Sequence, residues 1–109
     1  TALATTQKIG FIPIRKAGKL PGKVNKQHYT LEYGTDTLEI QSGVFDKQSR
    51  VLIVDDLLAT GGTVEAASKL VRKAGGNIVG YGFIIELNEL NGRDKINDDI
   101  PVRSLIRYD

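Results

Sequence analysis

Apolar positions along the chain follow two spacings, which predict several strands and one helix. Residues 50–55 carry a charge at each end and apolar side chains between, which is typical of a parallel strand covered on both faces. Residues 63–74 have apolar side chains three or four positions apart, and this spacing predicts a helix that ends at a pair of glycines. Residues 78–87 and 102–106 predict two further strands. Strand, helix and strand in this order indicate a βαβ unit.

The first part of the chain has a shorter and less regular pattern. Residues 10–14 predict a short buried strand, and a proline within it places it at a sheet edge or at its own end. Residues 15–26 lack periodicity, and we expect a long mobile loop there, of a kind that is usually functional. Residues 29–33 and 37–41 alternate and are rich in β-forming side chains, which predicts a hairpin with residues 34–36 between its strands.

The pattern as a whole predicts the α/β class with a mainly parallel sheet. Two shorter segments, residues 1–8 and 91–96, are predicted to be the last turns of a helix and a single helical turn. The chain has 109 residues, which is enough for one domain, so we expect residues 1–109 to form a single domain.

Composition narrows the classes of function. The chain is 40% hydrophobic and 26% charged, as globular proteins are, and its net charge of +2 is too small to indicate a nucleic-acid or membrane surface. It has no cysteine, which excludes disulfides, cysteine metal sites and a cysteine nucleophile and fits the cytoplasm. No apolar run approaches the roughly 18 residues of a membrane span. We therefore expect neither nucleic acid nor a membrane as a partner.

The most informative stretch follows the apolar strand. Asp55 and Asp56 stand where that strand is predicted to stop, and ligands of open parallel sheets bind beyond the carboxyl ends of strands. The glycine-containing loop after them opens the predicted helix, whose free N–H groups and dipole favour an anion such as phosphate. Carboxylates for sugar hydroxyls beside amides for a phosphate predict a ribose 5-phosphate site. The loop residues are Ala59, Thr60, Gly61, Gly62 and Thr63.

The same loop has an alternative, purely structural interpretation. It matches neither the Walker A pattern nor the Gly-x-Gly-x-x-Gly order of dinucleotide sites. An ordinary strand–turn–helix junction, with Thr60 or Thr63 as the N-cap and solvated aspartates, would explain a bare Thr-Gly-Gly-Thr equally well. The apolar strand and the adjoining pair of acids favour the binding site over this alternative.

Four apolar residues, two acids and Ala-Thr-Gly-Gly-Thr together resemble the phosphoribosyl diphosphate (PRPP) signature of the type I phosphoribosyltransferases. Residues 14–22 and 29–34 are similar to the adenine branch of that family, and the similarity continues through Gly92 and Arg93 to residues 104–108. The resemblance implies the type I phosphoribosyltransferase fold with a β-hairpin and flexible-loop insertion. It also implies a purine salvage enzyme that transfers the phosphoribosyl group of PRPP to adenine, giving AMP and pyrophosphate.

The resemblance implies roles for single residues. Asp55 and Asp56 would bind the ribose hydroxyls, and residues 59–63 the 5′-phosphate. Glu32 would be the catalytic group that protonates a purine nitrogen in one direction and accepts that proton in the other. Tyr33 would help to close the site. On the pattern alone, Glu32 is better explained as an exposed hairpin carboxylate, and Tyr33 is equally well explained by packing within the hairpin.

The basic segment before the hairpin also has a functional and a structural interpretation. Arg15, Lys16 and Lys19 would neutralise the departing pyrophosphate, and closure of their loop would exclude water. The alternative is a solvated basic loop, and the resemblance also places Arg15 near a dimer interface. Mg²⁺ would be held by pyrophosphate and ribose oxygens rather than by a metal-binding cage of protein side chains. The implied partners are adenine, PRPP, AMP, pyrophosphate and a second copy in a homodimer.

The chain departs from this family at its beginning. Family members carry an N-terminal portion with residues that cover adenine and a loop that binds pyrophosphate, and neither is found in residues 1–109. We therefore expect this chain to be the C-terminal portion of the domain, with another strand beside residues 51–54. Two other functions stay open: a non-enzymatic sensor of PRPP or nucleotides, and a type I transferase acting on orotate or hypoxanthine.

Overall fold

The computed structural model describes residues 10–16, 18–31, 34–96 and 99–109. Within these ranges the chain forms six strands, one α-helix and two short 3₁₀ turns, Asn88–Leu90 and Gly92–Lys95. The helix predicted at residues 1–8 lies outside the described residues. In chain order the main elements are β1 (Ile14–Lys16), β2 (Val24–Leu31), β3 (Gly34–Gln41), β4 (Arg50–Leu58), α1 (Gly62–Lys73), β5 (Asn77–Leu87) and β6 (Val102–Tyr108).

Strands β4, β5 and β6 form a parallel sheet in that order, which confirms the predicted βαβ unit and the parallel sheet. The pairing of β4 with β5 runs from Arg50 opposite Asn77 to Leu58 opposite Glu86. The prediction that this strand stops at the two acids is therefore wrong. Ladder pairing with β5 carries the backbone three residues beyond Asp55, so the acids lie within the strand.

Most of one face of the parallel sheet is uncovered in the part of the chain that the structure describes. Four large apolar side chains on this face are between 46% and 81% exposed. Alternation along each strand places them on the face opposite α1. The prediction of a strand covered on both faces is therefore wrong for the described residues, because α1 and the second sheet lie on the same side. These side chains are Leu52, Val54, Ile84 and Leu105.

Strands β1, β3 and β2 form a separate antiparallel sheet in that order, which confirms the predicted hairpin. The predicted turn is misplaced, because Leu31 pairs with Gly34 and residues 34–36 belong to β3. The predicted strand at residues 10–14 is also wrong except for its last residue. β1 begins only at Ile14, after a proline that has no N–H to donate, and it is an edge strand as expected.

The loop predicted over residues 15–26 is much shorter in the structure. Arg15 and Lys16 belong to β1, and β2 already begins at Val24. Glu39, which is buried in β3, fixes the beginning of the loop by accepting a hydrogen bond of 2.8 Å from the Gly18 N–H. The loop is shorter because residues on both sides of it pair through their backbones with the central strand β3. Such pairing does not require a regular spacing of apolar side chains, so no signal in the sequence indicated it.

Helix α1 is the centre of the core because both of its sides are covered. Val64 and Val71 pack against buried side chains of the parallel sheet, while Leu70 packs against Leu38 and Ile40 of the antiparallel sheet. The helix ends as predicted, with Gly75 in the left-handed region at φ 94°. This arrangement brings the first turn of α1, β4 and the hairpin close together. No helix among the described residues has the length and apolar character that crossing a membrane requires.

Candidate functional site

The turn between β4 and α1 leaves the first amides of the helix without a side-chain cap. Gly61 is the N-cap residue, at φ 89° and ψ 0°, and the first helical hydrogen bond runs from the Glu65 N–H to its carbonyl. Thr60 accepts only a long contact of 3.5 Å from the Gly62 N–H. The alternative in which Thr60 or Thr63 caps the helix is therefore wrong. Uncapped N–H groups at a helix start are suited to an anion.

Two glycines explain how this turn is packed. A Cβ atom on Gly61 would lie 2.5 Å from the carbonyl oxygen of Gly92 and 2.8 Å from the side-chain stem of Lys95. A Cβ atom on Gly92 would collide with the Ala59 carbonyl and lie 2.8 Å from the Leu58 side chain. The turn thus rests directly on the 3₁₀ turn Gly92–Lys95. The helical turn predicted over residues 91–96 corresponds to this 3₁₀ turn, but no sequence signal indicated its contact with Gly61.

The two acids lie side by side on the strand that leads into this turn. The N–H of Asp56 donates a 2.8 Å hydrogen bond to Oδ1 of Asp55, and both residues are exposed. Partial removal of water raises the pKa of Asp55, the hydrogen bond from the Asp56 N–H opposes this, and the Asp56 side chain raises it further. Two adjacent carboxylates can accept hydrogen bonds from hydroxyl groups or contact a cation. Among the described residues no cluster of three or more metal-ligating side chains is present.

Two clefts meet at these acids. The smaller, of about 230 Å³, is lined by residues 55–64. The larger, of about 860 Å³, shares Asp55, Asp56 and Thr63 with it and extends along β4 towards Ile14 and the chain before it. The structure therefore brings the predicted ribose and phosphate residues into one place, with additional space between β4, α1 and the segment that leads into β1.

The three basic residues that were predicted to bind pyrophosphate do not all lie at the clefts. Arg15 is exposed and lines the larger cleft. The ammonium group of Lys16 lies 3.4 Å from the Asp36 carboxylate of the hairpin, and Lys19 is exposed. Glu32 and Tyr33 lie outside the described residues. Of the three basic residues, only Arg15 lines either of the two clefts.

Tyr29 is a residue near the site that the sequence analysis did not single out. Its phenol lies near the side chains of Asp36 and of Thr63 at the start of α1, and both influence its pKa. Partial burial and the charge of Asp36 raise the pKa of this phenol, while Lys16 and Thr63 oppose the shift. Tyr29 thus links the hairpin to the start of α1. In the sequence it is one of several β-forming residues, and no local signal distinguishes it.

A buried carboxylate lies at the end of β5. Glu86 accepts hydrogen bonds from Nε and Nη2 of Arg93, at 2.7 and 2.9 Å, and from Oγ of Ser104 at 2.8 Å. Arg107 Nε approaches to 3.4 Å. These partners, above all Arg93, hold the pKa of Glu86 below its ordinary value of 4.5, although burial opposes the shift. The same pairing raises the pKa of Arg93.

This pairing predicts an acid-dependent stability. A carboxyl group whose folded pKa is lowered stabilises the fold above its unfolded pKa, and this contribution is lost as pH falls through the folded value. We expect Glu86→Gln to lower the free energy of unfolding at pH 7 by about 2–3 kcal/mol, a value kept moderate because the Arg93 side chain is 37% exposed. The difference should shrink below pH 4.5, the ordinary Glu value. Urea denaturation between pH 3 and 7 measures it, and a difference independent of pH would contradict the assignment.

Several known phosphoribosyltransferases are similar to this chain in sequence. Residues 21–106 match the family model described as a phosphoribosyl transferase domain. A curated adenine phosphoribosyltransferase of Prochlorococcus marinus is 58% identical over 108 residues, which are 99% of this chain and 63% of that protein. The corresponding protein of Nitrosopumilus maritimus is 57% identical over 106 residues, and 62% of it is covered. The chain thus spans less than two thirds of the length of the curated relatives it matches.

Solved structures show the same similarity in three dimensions. The adenine phosphoribosyltransferase of Thermoanaerobacter pseudethanolicus has a TM-score of 0.92 at 48% identity, over 98% of this chain and 62% of that one. That of Saccharomyces cerevisiae, complexed with an imino-altritol bisphosphate and adenine, has a TM-score of 0.90 at 47% identity, over 95% of this chain and 58% of that one. With the family model matched over most of its length, the chain belongs to the phosphoribosyltransferase family.

Proposed function

We propose that this chain provides the ribose- and phosphate-binding part of an adenine phosphoribosyltransferase, which transfers the phosphoribosyl group of PRPP to adenine and yields AMP and pyrophosphate. The observation that carries the proposal is the meeting of Asp55 and Asp56 with the uncapped start of α1 in one cleft. Amides there suit the 5′-phosphate, and the carboxylates suit the ribose hydroxyls a few residues away. Within this part, residues 1–109 act as one domain.

The roles of the turn and the acids follow from their chemistry. The turn residues donate backbone N–H groups and the hydroxyls of Thr60 and Thr63 to the phosphate, and Ala59, Gly61 and Gly62 let the backbone approach closely. Asp55 and Asp56 accept hydrogen bonds from the ribose hydroxyls. Because displacement of pyrophosphate builds positive charge on the ribose ring, nearby carboxylates also favour the transition state.

Other residues complete the proposal around this centre. We assign Glu32 the proton transfer to and from the purine and Tyr33 the closing of the site, both on the family resemblance. Arg15, at the wall of the larger cleft, is the best placed of the basic residues to meet pyrophosphate. Lys16 would have to leave Asp36 to contribute, and this pair is weak enough to break readily because the lysine side chain is largely exposed. Lys19 joins them from the loop.

Magnesium is proposed to arrive bound to the substrate. The donor set fits, because two exposed carboxylates side by side are oxygen ligands of the kind that Mg²⁺ prefers. A nearby divalent cation would also relieve the repulsion that contributes to the raised pKa of Asp55. When bound, Mg²⁺ neutralises charge on the pyrophosphate oxygens. Asp55 and Asp56 are the residues of this chain that would contact it.

The choice of adenine is supported by the relatives. A Saccharomyces cerevisiae relative was solved with adenine, and a Trypanosoma brucei relative, 33% identical, was solved with AMP, pyrophosphate and ribose-5-phosphate. Both are called adenine phosphoribosyltransferases. The alternatives are a transferase for another base and a sensor that binds PRPP without turnover.

The uncovered face of the parallel sheet supports a larger assembly. We propose that the additional length of the relatives corresponds to a strand that pairs with the outer edge of β4, which is the extra strand expected from the sequence, and to further residues that cover Leu52 and Val54. A homodimer and a cytoplasmic location are proposed on the resemblance and on the absence of cysteine. Sedimentation analysis of the protein tests the dimer.

The function is tested by binding and turnover together. AMP should bind to this chain about a hundredfold more tightly than adenosine, because only AMP carries the phosphate that the turn would hold. With PRPP and Mg²⁺, the enzyme to which this chain would contribute should convert adenine at least about a hundred times faster than hypoxanthine or orotate. PRPP binding without turnover of any base would favour the sensor. Equal binding of AMP and adenosine would contradict the phosphate site.

A further inference from the structure

We propose that Glu86 and Arg93 are positioning residues for the phosphate-binding turn, acting through the 3₁₀ turn Gly92–Lys95. This inference rests on the proposed function of the turn at residues 59–62. Neither residue lines the two clefts at the candidate site, so neither is a candidate to touch the substrate. Their effect would pass to the ligand through backbone contacts.

The first step is the rigidity of the ion pair. Glu86 is only 3% exposed, and both of its oxygens are occupied by Arg93 and Ser104. The guanidinium contacts it through two nitrogens, at 2.7 and 2.9 Å. A two-point contact of this kind fixes the orientation as well as the distance of Arg93, which a single ammonium group could not do. Because Glu86 also pairs with Leu58 across the parallel ladder, its position is tied to β4.

The second step leads from Arg93 to the backbone of its own turn. Hydrogen bonds close this turn on both sides of Arg93, from the Asp94 N–H to the Asn91 carbonyl and from the Ile96 N–H to the Arg93 carbonyl, each of 3.0 Å. Asn91 enters it in the left-handed region at φ 52°. A short turn held by its own hydrogen bonds and by one anchored side chain moves as a unit. Fixing Arg93 therefore fixes Gly92.

The third step is the contact between the two turns. Gly92 packs against the Ala59 carbonyl, and the carbonyl of Gly92 packs against Gly61, with no space for a Cβ atom on either glycine. The Lys95 stem lies against Gly61 as well. The turn that would hold the phosphate has no side-chain cap. The direction of its N–H groups therefore depends on its packing against Gly92. Loss of the ion pair should loosen these amides while the helix interior keeps its packing.

The test uses Arg93→Gln in the 109-residue chain, with Arg72→Gln as the matched control on the exposed side of α1. In Arg93→Gln, NMR order parameters of the Gly61 and Gly62 amides should fall from the rigid range near 0.85 to below about 0.6, while those of Leu70 and Val71 stay unchanged. AMP affinity should fall by about ten- to a hundredfold, and adenosine affinity should stay the same. Arg93→Lys should recover only part of the loss.

The two readouts separate this inference from the proposed function. Equal wild-type affinities for AMP and adenosine would contradict the phosphate site, and the order parameters of the ligand-free chain would still decide whether Arg93 holds the turn. Rigid turn amides in Arg93→Gln, or an AMP affinity like that of Arg72→Gln, would overturn the inference. It would also be overturned if Leu70 and Val71 lost order equally, because the effect would then be general unfolding. If Arg93→Gln does not fold, Arg93→Lys is judged by the same criteria.

Discussion

Gly61→Ala is expected to abolish measurable AMP binding and to lower the free energy of unfolding by about 2–4 kcal/mol. Gly61 lies at φ 89°, where an L side chain is strained, and its Cβ would lie 2.5 Å from a backbone oxygen of Gly92. Backbone atoms cannot rotate away as a flexible side chain does, so the turn has to shift. A shift of about 1 Å at the proposed phosphate site is enough to reduce affinity at least about a hundredfold. Isothermal titration with AMP and urea denaturation measure the two effects.

Gly75→Ala provides the matched control for this prediction. Gly75 has a similar dihedral, φ 94°, at the other end of α1, and a Cβ there would meet nothing within 4 Å. Its replacement should therefore cost only the strain of the left-handed conformation, about 1 kcal/mol, with AMP binding unchanged. Equal losses of AMP affinity in the two variants would show that backbone strain, rather than the contact with Gly92, is responsible.

Asp55→Asn and Asp56→Asn should each weaken ribose 5-phosphate binding by about a hundredfold, because a charged hydrogen-bond acceptor for the ribose hydroxyls is lost. The same replacement at Asp55 should slightly raise the free energy of unfolding at pH 7. The pKa of Asp55 is raised in the folded state, so its ionised form is disfavoured there, and this penalty grows as pH rises above the ordinary value of 3.8. A gain in stability with a loss of binding is typical of residues retained for function.

Glu89→Gln, at an exposed position in the 3₁₀ turn Asn88–Leu90, removes the same charge without touching either cleft. It should leave ribose 5-phosphate binding unchanged. Titration of all three variants with ribose 5-phosphate, and urea denaturation at pH 7, provide the comparison. Wild-type affinity in both aspartate variants would remove the acids from the proposed site.

Local sequence signals predicted the βαβ unit well, because its elements are defined by neighbours in the chain. The helix prediction over residues 63–74 differs from α1 by one residue at each end, since apolar spacing and the terminal glycines are both local properties. The strand ends were less accurate. β4 runs on through its two acids because β5 offers it a partner, and partners in a sheet are not visible in one strand's own residues.

The antiparallel sheet shows the same limit more strongly. A loop was predicted where Arg15, Lys16 and Lys26 lie in strands, because charged, glycine-rich sequence has no periodicity that reveals pairing with β3. The side chains of Lys16 and Lys26 pair with Asp36 and Glu39, which the sequence could not indicate across so many intervening residues. Pairing of this kind depends on the register of the hairpin.

The sequence by itself determined the chemical inventory of the site: two adjacent acids followed by a threonine- and glycine-containing turn at the start of a helix. Only the tertiary structure showed that Gly61, rather than a threonine, ends the turn, and that its conformation depends on Gly92 about thirty residues later. Only the tertiary structure also showed that Glu86 pairs with Arg93 next to that turn and that Tyr29 lies near Thr63. The physical reason is range: helix spacing and anion-binding amides arise from neighbouring residues, whereas close packing and buried ion pairs arise between segments that only folding brings together.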